Sequence, residues 1–471
     1  MKPIETEVVV LGAGPGGYAA AFYAAEQGKK VILIEKEDLG GACLNRGCIP
    51  SKSLLYATKV MEEAAHSTIR GIYFEKPKIN LDELRDWKNG IIKKLQSGIA
   101  HLAKQRNVEV IKGKAFFEDN ETLRVETENG QKFIKFGSAI VAVGSKPALP
   151  SAFDLGNKRI MTSTEALQID DIPKNLLVLG GGYIGMELGS VYAGLGSEVT
   201  MVEALPSLLA TADSDLVRPV IKTAKKQFKE IKLNTKVTKM ASSGKKIKVS
   251  LLDDKGESST QSFDKVLVSI GRASNSFDLG IDNTDINLDE KGFITVDKNQ
   301  RTSVSNVYAI GDIAGGLLLA HKASKEAKIA VESIIGQPAT NENLNIPAVV
   351  FTHPEIAWTG LTEADAKEKG IKVDVSKFPW AASGRALSMD KTDGMTKLII
   401  DPTSKRILGI GIVGENAGDL ISEGVLAVDT ECTVNDLALT VHPHPTLSET
   451  LMESAELYLG HSSHAISNKR K

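Results

Sequence analysis

Cysteine is scarce in this sequence, with three residues among 471. So few cysteines exclude a fold held together by many disulfide bonds, as small secreted domains are. Two of the three, Cys43 and Cys48, lie five positions apart, whereas Cys432 stands alone. A close pair with one cysteine left over indicates a reducing compartment in which the pair reacts. Cys432 is predicted to be a packed structural thiol.

The sequence also lacks an excess of charge of one sign and a long apolar run. It has 57 basic and 59 acidic residues, so no net field favours nucleic acid or an anionic membrane. No apolar stretch reaches the roughly 18 residues of a membrane span. The first apolar strand, Val8–Val10, follows Met1 too closely to leave room for a signal peptide. We therefore predict a soluble, cytoplasmic protein without nucleic-acid or membrane partners, whose basic end, residues 468–471, is a solvated terminus.

Metal-ligand spacing is absent as well. Outside the C-terminal His-Pro-His segment, no histidine stands at such a spacing from cysteines or acids, so no metal centre is predicted. These histidines are His66, His101, His321, His353, His461 and His464.

A duplicated nucleotide-binding signature is present instead. Residues 7–17 and 176–185 each indicate a buried strand, a glycine-rich turn and the start of a helix. A second strand then ends at Glu35 in one copy and at Glu203 in the other, in each case 23 positions after the first glycine of the turn. The glycines of the two turns are Gly12, Gly14 and Gly17, and Gly180, Gly182 and Gly185.

Each glycine has a physical reason in such a turn. The first permits the tight turn, the second lets the backbone approach a pyrophosphate, and the third lets helix and strand pack closely. The helix N-terminus then supplies amide groups to the phosphates. The alternative is that both segments are structural turns only. An acid after the second strand accepts hydrogen bonds from a ribose 2′-hydroxyl and repels a 2′-phosphate. Glu203 therefore predicts NAD rather than NADP. Glu35 is expected to bind the ribose of FAD in the same way.

The likeness between the copies extends further along the chain. Both contain a hairpin-like segment, near residues 124–133 and 247–263, followed by a strand that ends at Gly144 or Gly271. The first helix is predicted over Tyr18 to Gln27. The first copy carries about 41 extra residues, which contain the cysteine pair and predicted helices over residues 51–65 and 81–104. Insertions of this kind are where functional groups concentrate.

Beyond the second copy the pattern changes twice. Residues 307–312 resume the nucleotide-binding type of sequence, and a helix is predicted over residues 320–335. From about Ile346, short strands precede helices near the C-terminus, and runs of strands packed with helices favour a separate α+β domain.

The cysteine pair requires distorted backbone if the two sulfurs are to bond. A regular helix separates residues five positions apart by about 7.5 Å of rise, beyond the limit of about 7 Å between bridged Cα atoms. Asn45 and Gly47, which lie between Cys43 and Cys48, tolerate unusual backbone angles. The alternative is a pair of buried cysteines that only pack.

These segments together resemble those of the pyridine nucleotide–disulfide oxidoreductases. The likeness rests on residues 40–52, both glycine-rich turns, Gly311-Asp312 and residues 442–449, and it covers nearly the whole chain in order. It implies an α/β fold with two Rossmann-like dinucleotide-binding domains and a C-terminal α+β dimerisation domain. The implied domains are FAD-binding (1–150, returning at 272–345), NAD-binding (151–271) and C-terminal interface (346–471).

The resemblance also implies the cofactors. FAD would be bound by the first turn, Glu35 and Asp312, with Asp312 on the ribitol, and NAD by the second turn and Glu203. The expected cofactor-binding residues are Gly12, Gly14, Gly17, Glu35, Asp312, Gly180, Gly182, Gly185, Glu187, Glu203 and Gly271. Two positions depart from the usual pattern without removing a reacting group, since Ala42 stands where many members have threonine and Arg46 where a smaller or apolar residue is common.

The implied catalytic residues are Cys43, Cys48, Lys52, His444 and Glu449. Cys48 would lie nearest the flavin and Cys43 would exchange with substrate, while Lys52 would pair with Glu187 near the flavin. A thiolate needs a base, and His444 is the candidate, because Glu449 can bind one imidazole nitrogen and set its tautomer. A surface Lys–Glu pair and a structural histidine are the alternatives. Pro443 replaces the usual alanine after His442, which leaves the role of His442 open.

In the family this histidine reaches the cysteines of the other subunit, which implies a homodimer with shared active sites. Cis peptide bonds before Pro354 and Pro445 are expected. The implied reaction is NAD-dependent oxidation of dihydrolipoyl groups, carried by the lipoyl domain of a 2-oxo acid dehydrogenase or glycine cleavage complex. The alternatives are another NAD(P)H-dependent disulfide reductase of the glutathione reductase type and a non-catalytic flavin-binding scaffold.

Overall fold

The computed structural model describes residues 2–342 and 344–466, so the basic end at residues 468–471 lies outside the described residues.

The first region of the chain contains β1 (Ile4–Leu11), α1 (Pro15–Glu26), β2 (Val31–Glu35), α2 (Gly41–Arg46), α3 (Cys48–His66), α4 (Leu81–Gln105), β3 (Glu109–Lys112), β4 (Lys114–Phe117), β5 (Thr122–Thr127), β6 (Gly130–Val141) and β7 (Ser145–Pro147).

The second region contains a further sheet and a small antiparallel layer. Its elements are β8 (Ile160–Met161), α5 (Ser163–Ala166), β9 (Asn175–Leu179), α6 (Tyr183–Leu195), β10 (Glu198–Val202), α7 (Ser214–Gln227), β11 (Glu230–Lys232), β12 (Lys236–Ser243), β13 (Lys246–Leu252), β14 (Ser258–Phe263), β15 (Lys265–Val268) and β16 (Arg272–Ser274). A following segment carries β17 (Val307–Ala309) and α8 (Ala320–Ile334).

The third region is built on one antiparallel sheet. Its elements are β18 (Ala348–Val350), β19 (Glu355–Gly360), α9 (Glu363–Glu368), β20 (Asp374–Pro379), α10 (Gly384–Met389), β21 (Met395–Ile400), β22 (Ile407–Gly414), α11 (Ala417–Asp429), α12 (Val434–Leu439) and α13 (Glu449–Leu459). The strand order is β18-β19-β22-β21-β20, and helices α11 and α13 pack on this sheet. The expected α+β region from about residue 346 is confirmed.

The two nucleotide-binding-type regions share one sheet topology. In the first sheet the order is β3-β2-β1-β6-β5-β4, and β17 pairs with β6, so the chain returns to this sheet after the second region. In the second sheet the order is β11-β10-β9-β15-β8, with β12-β13-β14 as a separate antiparallel layer. In each copy the strand before the glycine-rich turn, β1 or β9, lies between parallel partners. The duplicated α/β architecture is therefore confirmed.

Three predicted boundaries were wrong. Helix α3 begins at Cys48 rather than at residue 51, because the break after α2 is at Gly47 alone. Helix α1 begins at Pro15 rather than Tyr18, because proline suits the first turn of a helix, where its missing N–H leaves no bond unmade. The hairpin strand and the strand leading to Gly144 form a single strand, β6, of 12 residues. Gly137 interrupts the apolar pattern without breaking the strand: a Cβ there would lie 2.9 Å from the Glu7 carbonyl oxygen, so the glycine allows β1 to approach.

Small residues bring α1 and α8 together beside the first turn. Helix α1 buries Gly16, Gly17 and three alanines on one face. A Cβ on Gly16 would lie 3.1 Å from the Cβ of Ala323 in α8. Helix α8 therefore approaches the first glycine-rich turn closely. No helix among residues 2–342 and 344–466 is long and apolar enough to cross a membrane.

A buried ion cluster joins the second region to the third. Lys397 in β21 is 1% exposed, and its ammonium lies 2.7 Å from an Asp213 oxygen, 3.0 Å from Asp215 and 2.5 Å from Glu363. Lys377 also pairs with Asp215 and Glu363. Burial opposes ionisation of Asp215, but its hydrogen bonds to the two lysines outweigh burial and lower its pKa. The cluster therefore stabilises the contact only while its carboxylates are ionised.

We expect Lys397→Met to destabilise the protein by about 3–5 kcal/mol, because it leaves buried carboxylates with one cation fewer. Thermal unfolding at neutral pH measures the loss. Lys377→Met is the matched control, and we expect a smaller effect because Lys377 is exposed. Since the pKa of Asp215 is lowered, its share of the stability is complete above the ordinary aspartate pKa of about 3.9 and is lost as the pH falls towards the folded-state value. Equal effects of the two substitutions would contradict this account.

Candidate active site

A break between two helices brings Cys43 and Cys48 together. Helix α2 ends at Arg46 and α3 begins at Cys48, with Gly47 between them. The two Cα atoms are 4.8 Å apart and the cysteines form a disulfide. A Cβ on Gly47 would lie 3.0 Å from the Ala42 carbonyl oxygen and 3.2 Å from the Cys43 Cα, so this close turn favours glycine. The expected backbone distortion is present, at Gly47.

The cysteine loop lies directly on the first glycine-rich turn. Gly41 has a φ of +60°, and a Cβ there would lie 2.5 Å from the Cα of Gly14. The Gly40 amide donates a hydrogen bond to the Ala13 carbonyl at 2.8 Å. The disulfide is thus attached to the turn that is expected to bind a pyrophosphate.

The two glycine-rich turns repeat the same geometry. Gly12 and Gly180 have φ values of +94° and +106°, and a Cβ on either would lie within 2.6 Å of a carbonyl oxygen of the neighbouring strand end. A Cβ on Gly17 or Gly185 would lie within 2 Å of the carbonyl oxygen of Gly12 or Gly180. These four positions require glycine because of contacts inside the protein.

The middle glycines differ, because the protein leaves space around them. A Cβ on Gly182 would meet nothing within 4 Å, and one on Gly14 would meet only the Cα of Gly41, at 3.9 Å. Glycine at these positions is not required by packing. The open space fits the close approach of a bound dinucleotide, which a side chain would obstruct.

The carboxylates after the second strands are fixed in the same way in both copies. Glu35 accepts hydrogen bonds from the amides of Ala13 at 2.7 Å and Glu37 at 2.9 Å. Glu203 accepts from Gly181 at 2.6 Å and Leu205 at 2.8 Å. Burial raises the pKa of Glu35, against the Ala13 hydrogen bond and nearby cations. Each carboxylate keeps lone pairs that can accept ribose hydroxyls.

Lys52, on the first turns of α3, is paired with a buried carboxylate. Its ammonium lies 2.7 Å from one oxygen of Glu187 and 3.0 Å from the other. Ser51 donates to Glu187 at 2.8 Å, and the amide of Phe351 donates at 3.1 Å. The ammonium also lies 4.5 Å from the centre of the Phe351 ring. All three regions of the chain therefore meet at Glu187.

Asp312 is held by residues that the sequence analysis did not identify. Ser145 donates a hydrogen bond to Asp312, and Arg272 donates to the Ser145 hydroxyl at 2.6 Å and lies 3.6 Å from Asp312. The amide of Gly311 donates to the buried Glu326 at 2.7 Å, and burial raises the pKa of Glu326. Arg272 directly follows Gly271, a signal that could have drawn attention to it.

One cavity of about 500 Å³ connects these groups. Its wall includes the first glycine-rich turn, Glu35, both cysteines, Lys52, Glu187, Arg272 and Asp312. The second turn does not line it, although Tyr183 at the start of α6 does. An elongated cofactor that reaches from Glu35 to the disulfide would fit the chemistry of this lining.

The C-terminal histidine lies apart from this cavity. His444 Nδ1 is 2.8 Å from a Glu449 oxygen, whose second oxygen accepts the Thr446 amide at 2.7 Å. The His444 side chain is 72% exposed and does not line the cavity. The peptide bonds His353-Pro354 and His444-Pro445 are both cis, as expected. Within one chain, the structure brings His444 and Glu449 together but does not bring them to the cysteines.

Comparison with known proteins gives concordant results. Residues 6–327 match the pyridine nucleotide-disulphide oxidoreductase family, and residues 346–455 match its dimerisation domain. Dihydrolipoyl dehydrogenase of Haemophilus influenzae is 45% identical over 461 residues, covering 98% of this chain and 96% of the relative. The Bacillus subtilis enzyme of the same name is 44% identical, with 98% of both chains covered.

Two solved structures have folds similar to that of this chain. LpdA from Mycobacterium tuberculosis has a TM-score of 0.89 at 27% identity, covering 96% of this chain and 99% of that one. A Cu(II) complex of the HOCl-induced flavoprotein disulfide reductase RclA from Escherichia coli has a TM-score of 0.86 at 28% identity, covering 97% of this chain and 100% of that one.

Gly180 and Gly182 of the second turn differ in the space that the protein leaves around them. We expect Gly182→Ala to leave thermal stability unchanged, because the added methyl meets no protein atom, and to weaken NAD⁺ binding by about tenfold or more. Gly180→Ala is the control for strain, and we expect it to lower the unfolding temperature because of its positive φ and its contact with the Ser269 carbonyl. Thermal melts and calorimetric titration with NAD⁺ measure both. Undiminished NAD⁺ affinity in Gly182→Ala would count against a dinucleotide at this turn.

Proposed function

This chain belongs to the pyridine nucleotide-disulphide oxidoreductase family, and we propose from that membership that it oxidises protein-bound dihydrolipoyl groups with NAD⁺ as the acceptor. Its activity is that of the dihydrolipoyl dehydrogenases to which it is 43–45% identical over nearly its whole length. The observation that carries the mechanism is the Cys43–Cys48 disulfide in the wall of the cavity that begins at the first glycine-rich turn.

The two glycine-rich turns indicate which residues would hold the cofactors. FAD would be held by the first turn, Glu35 and Asp312, and NAD by the second turn and Glu203. When bound, FAD takes electrons from the dithiol and gives hydride to NAD⁺. The protein contributes the open positions at Gly14 and Gly182 and the fixed carboxylates. Glu203 would repel a 2′-phosphate, which favours NAD over NADP.

The sulfur chemistry requires one proton acceptor and one stabilised thiolate. A substrate thiol gives its proton to His444, and the resulting thiolate attacks Cys43 Sγ, which breaks the Cys43–Cys48 bond and leaves Cys48 as a thiolate. The second substrate thiol then attacks the substrate sulfur of the mixed disulfide, and its proton passes to Cys43, which is released as a thiol. The substrate leaves as a cyclic disulfide, and two electrons remain on the cysteine pair.

The surroundings of Cys48 suit the charge that develops on it. Cys48 is the first residue of α3, a helix of 19 residues, and a helix N-terminus stabilises a thiolate through its unbonded amides. Lys52, one turn later, adds a cation that is bound to Glu187, and Ser51 and the Phe351 amide hold that carboxylate in place. Cys48 is therefore the sulfur we assign to hold the negative charge, and Cys43 the one that exchanges.

The base must come from a second copy of the chain. Among the described residues, no histidine lines the cavity that contains the cysteines. His444 is exposed and bound only to Glu449, whose carboxylate sets the tautomer and leaves Nε2 available. The match to a dimerisation domain over residues 346–455 supports a homodimer. We infer that His444 of one subunit serves Cys43 of the other.

The physiological substrate follows from the same chemistry. A dihydrolipoyl group on a lysine is a long, mobile dithiol that can enter a site at a subunit interface. We infer that its carrier is the lipoyl domain of a 2-oxo acid dehydrogenase or glycine cleavage complex. No nucleic-acid or membrane partner is part of this proposal.

The reaction is tested with dihydrolipoamide. We expect NAD⁺-dependent oxidation, with NADP⁺ about a hundredfold less effective because of Glu203. Thiol titration after denaturation should give one thiol per oxidised chain, from Cys432, and three after anaerobic reduction by NADH. Cys43→Ser should abolish turnover, whereas Cys432→Ser is the matched control and should retain it. Reduction of glutathione disulfide with NADPH in place of this activity would support the glutathione reductase alternative.

The shared site is tested by mixing two inactive variants. Cys43→Ser and His444→Gln homodimers should each be inactive, because every site lacks one partner. In a heterodimer, one of the two sites combines intact Cys43 with intact His444 of the other chain. Random pairing makes about half of the dimers heterodimers, so the mixture should recover about one quarter of wild-type activity. Co-expression with two affinity tags provides the mixture. If His444 instead served its own chain, the mixture would remain inactive.

A further inference from the structure

His442 is a buried histidine that the proposed reaction does not use. Its side chain is 4% exposed, although it lies only two residues from the exposed His444. Nδ1 is 2.8 Å from the Thr440 carbonyl oxygen, and Nε2 is 2.7 Å from a Glu423 oxygen. Both ring nitrogens therefore face hydrogen-bond acceptors.

This arrangement determines the protonation of the ring. A neutral imidazole carries one N–H and can donate to only one of two acceptors, whereas an imidazolium donates to both. The hydrogen bond to Glu423 raises the pKa of His442, with burial opposing it and the Thr440 carbonyl and the charges of Glu423 and Glu449 adding to the rise. The charged groups that face His442 are thus Glu423 from α11 and Glu449 from α13. Two acceptors on one ring and a raised pKa fit an imidazolium paired with Glu423.

The position of this cation bears on the segment that carries His444. Residues 440–448 connect α12, which ends at Leu439, to α13, which begins at Glu449. At one end His442 attaches the segment to Glu423 on α11, a helix that packs on β19 and β22. At the other end Glu449 binds the Thr446 amide and the His444 ring. The base is held between two carboxylates, of which His442 neutralises one.

We propose that His442 is a positioning residue: as an imidazolium bound to Glu423, it fixes the backbone that presents His444 and keeps a positive charge next to that segment, so that His444 is presented as a proton acceptor. This inference rests on the proposed function, because it assigns His444 the role of proton acceptor. Without the imidazolium, Glu449 would act on His444 unopposed and favour its protonated form. Less of the enzyme would then carry a free base in mildly acidic solution.

The test compares the pH dependence of kcat/KM for dihydrolipoamide and NAD⁺ in wild type, His442→Gln and Glu423→Gln. We expect the acidic limb of the profile to move up by about half a pH unit in His442→Gln, with the loss concentrated below pH 7. Glu423→Gln should move it less, because the removal of the Glu423 negative charge opposes the effect of the proton that His442 then loses more readily. The double variant should shift no further than the larger single effect, since both act through one pair.

His66→Gln is the matched control. His66 also pairs with a carboxylate, Asp390, at 2.8 Å. Neither residue lies on α11, on α13 or in the segment between α12 and α13, so we expect its removal to leave the profile in place. A loss of kcat/KM in His442→Gln that is equal at all pH values would mean a structural role only, and an unchanged profile would mean no role; either result overturns the proposal.

A second measurement does not depend on activity. Titration of the protein labelled at its histidine rings, followed by NMR, should show the resonance that disappears in His442→Gln still protonated above the ordinary histidine pKa of about 6.5. Titration of that resonance below this value would overturn the charge assignment even if the enzyme is active. Absence of dihydrolipoamide turnover in the wild type, with His442 protonated as expected, would instead locate the failure in the proposed function.

Discussion

The active site depends on a close contact between two glycines, Gly14 and Gly41. A Cβ on Gly41 would lie 2.5 Å from the Cα of Gly14, so the cysteine loop can lie on the nucleotide turn only if residue 41 is a glycine. This approach places the start of α3, and therefore Cys48 and Lys52, against the same cavity as the turn. The break at Gly47 then brings Cys43 to Cys48. The position of the redox disulfide beside the nucleotide turn therefore depends on a packing constraint of the backbone.

Duplication explains why the two dinucleotide sites are alike and why only one holds the cysteines. Glu35 and Glu203 each bind one amide of the turn and one amide of their own loop, so the same device fixes both acids. The insert with α2, α3 and α4 belongs to the first copy alone. Because α3 also packs on α6 of the second copy, the insert connects the two copies through Lys52 and Glu187.

The sequence was informative where chemistry is local and less so where partners come from afar. Glycine spacing, the acid 23 positions later and the His444–Glu449 interval all lie within one strand–turn–helix unit or one turn. The partners of Asp312 do not, since Ser145 is 167 positions away and only the folded sheet brings them together. The same holds for Phe351 on Glu187 and for Lys397, a lysine in an apolar strand whose buried carboxylates lie in the second region. No local pattern selects such partners.

The surface around His444 indicates why one chain is an incomplete enzyme. Leu439 and Val441, just before the histidine segment, are 82% and 92% exposed, although large apolar side chains gain free energy when they are removed from water. The buried His442–Glu423 pair gives this surface a fixed shape before a partner arrives, which reduces the ordering cost of association. The residues that present the base and the residues that need to be covered are therefore the same short segment. On the proposed assignment, a second chain that buries Leu439 and Val441 also receives His444 beside its own Cys43, and this would couple assembly to proton transfer.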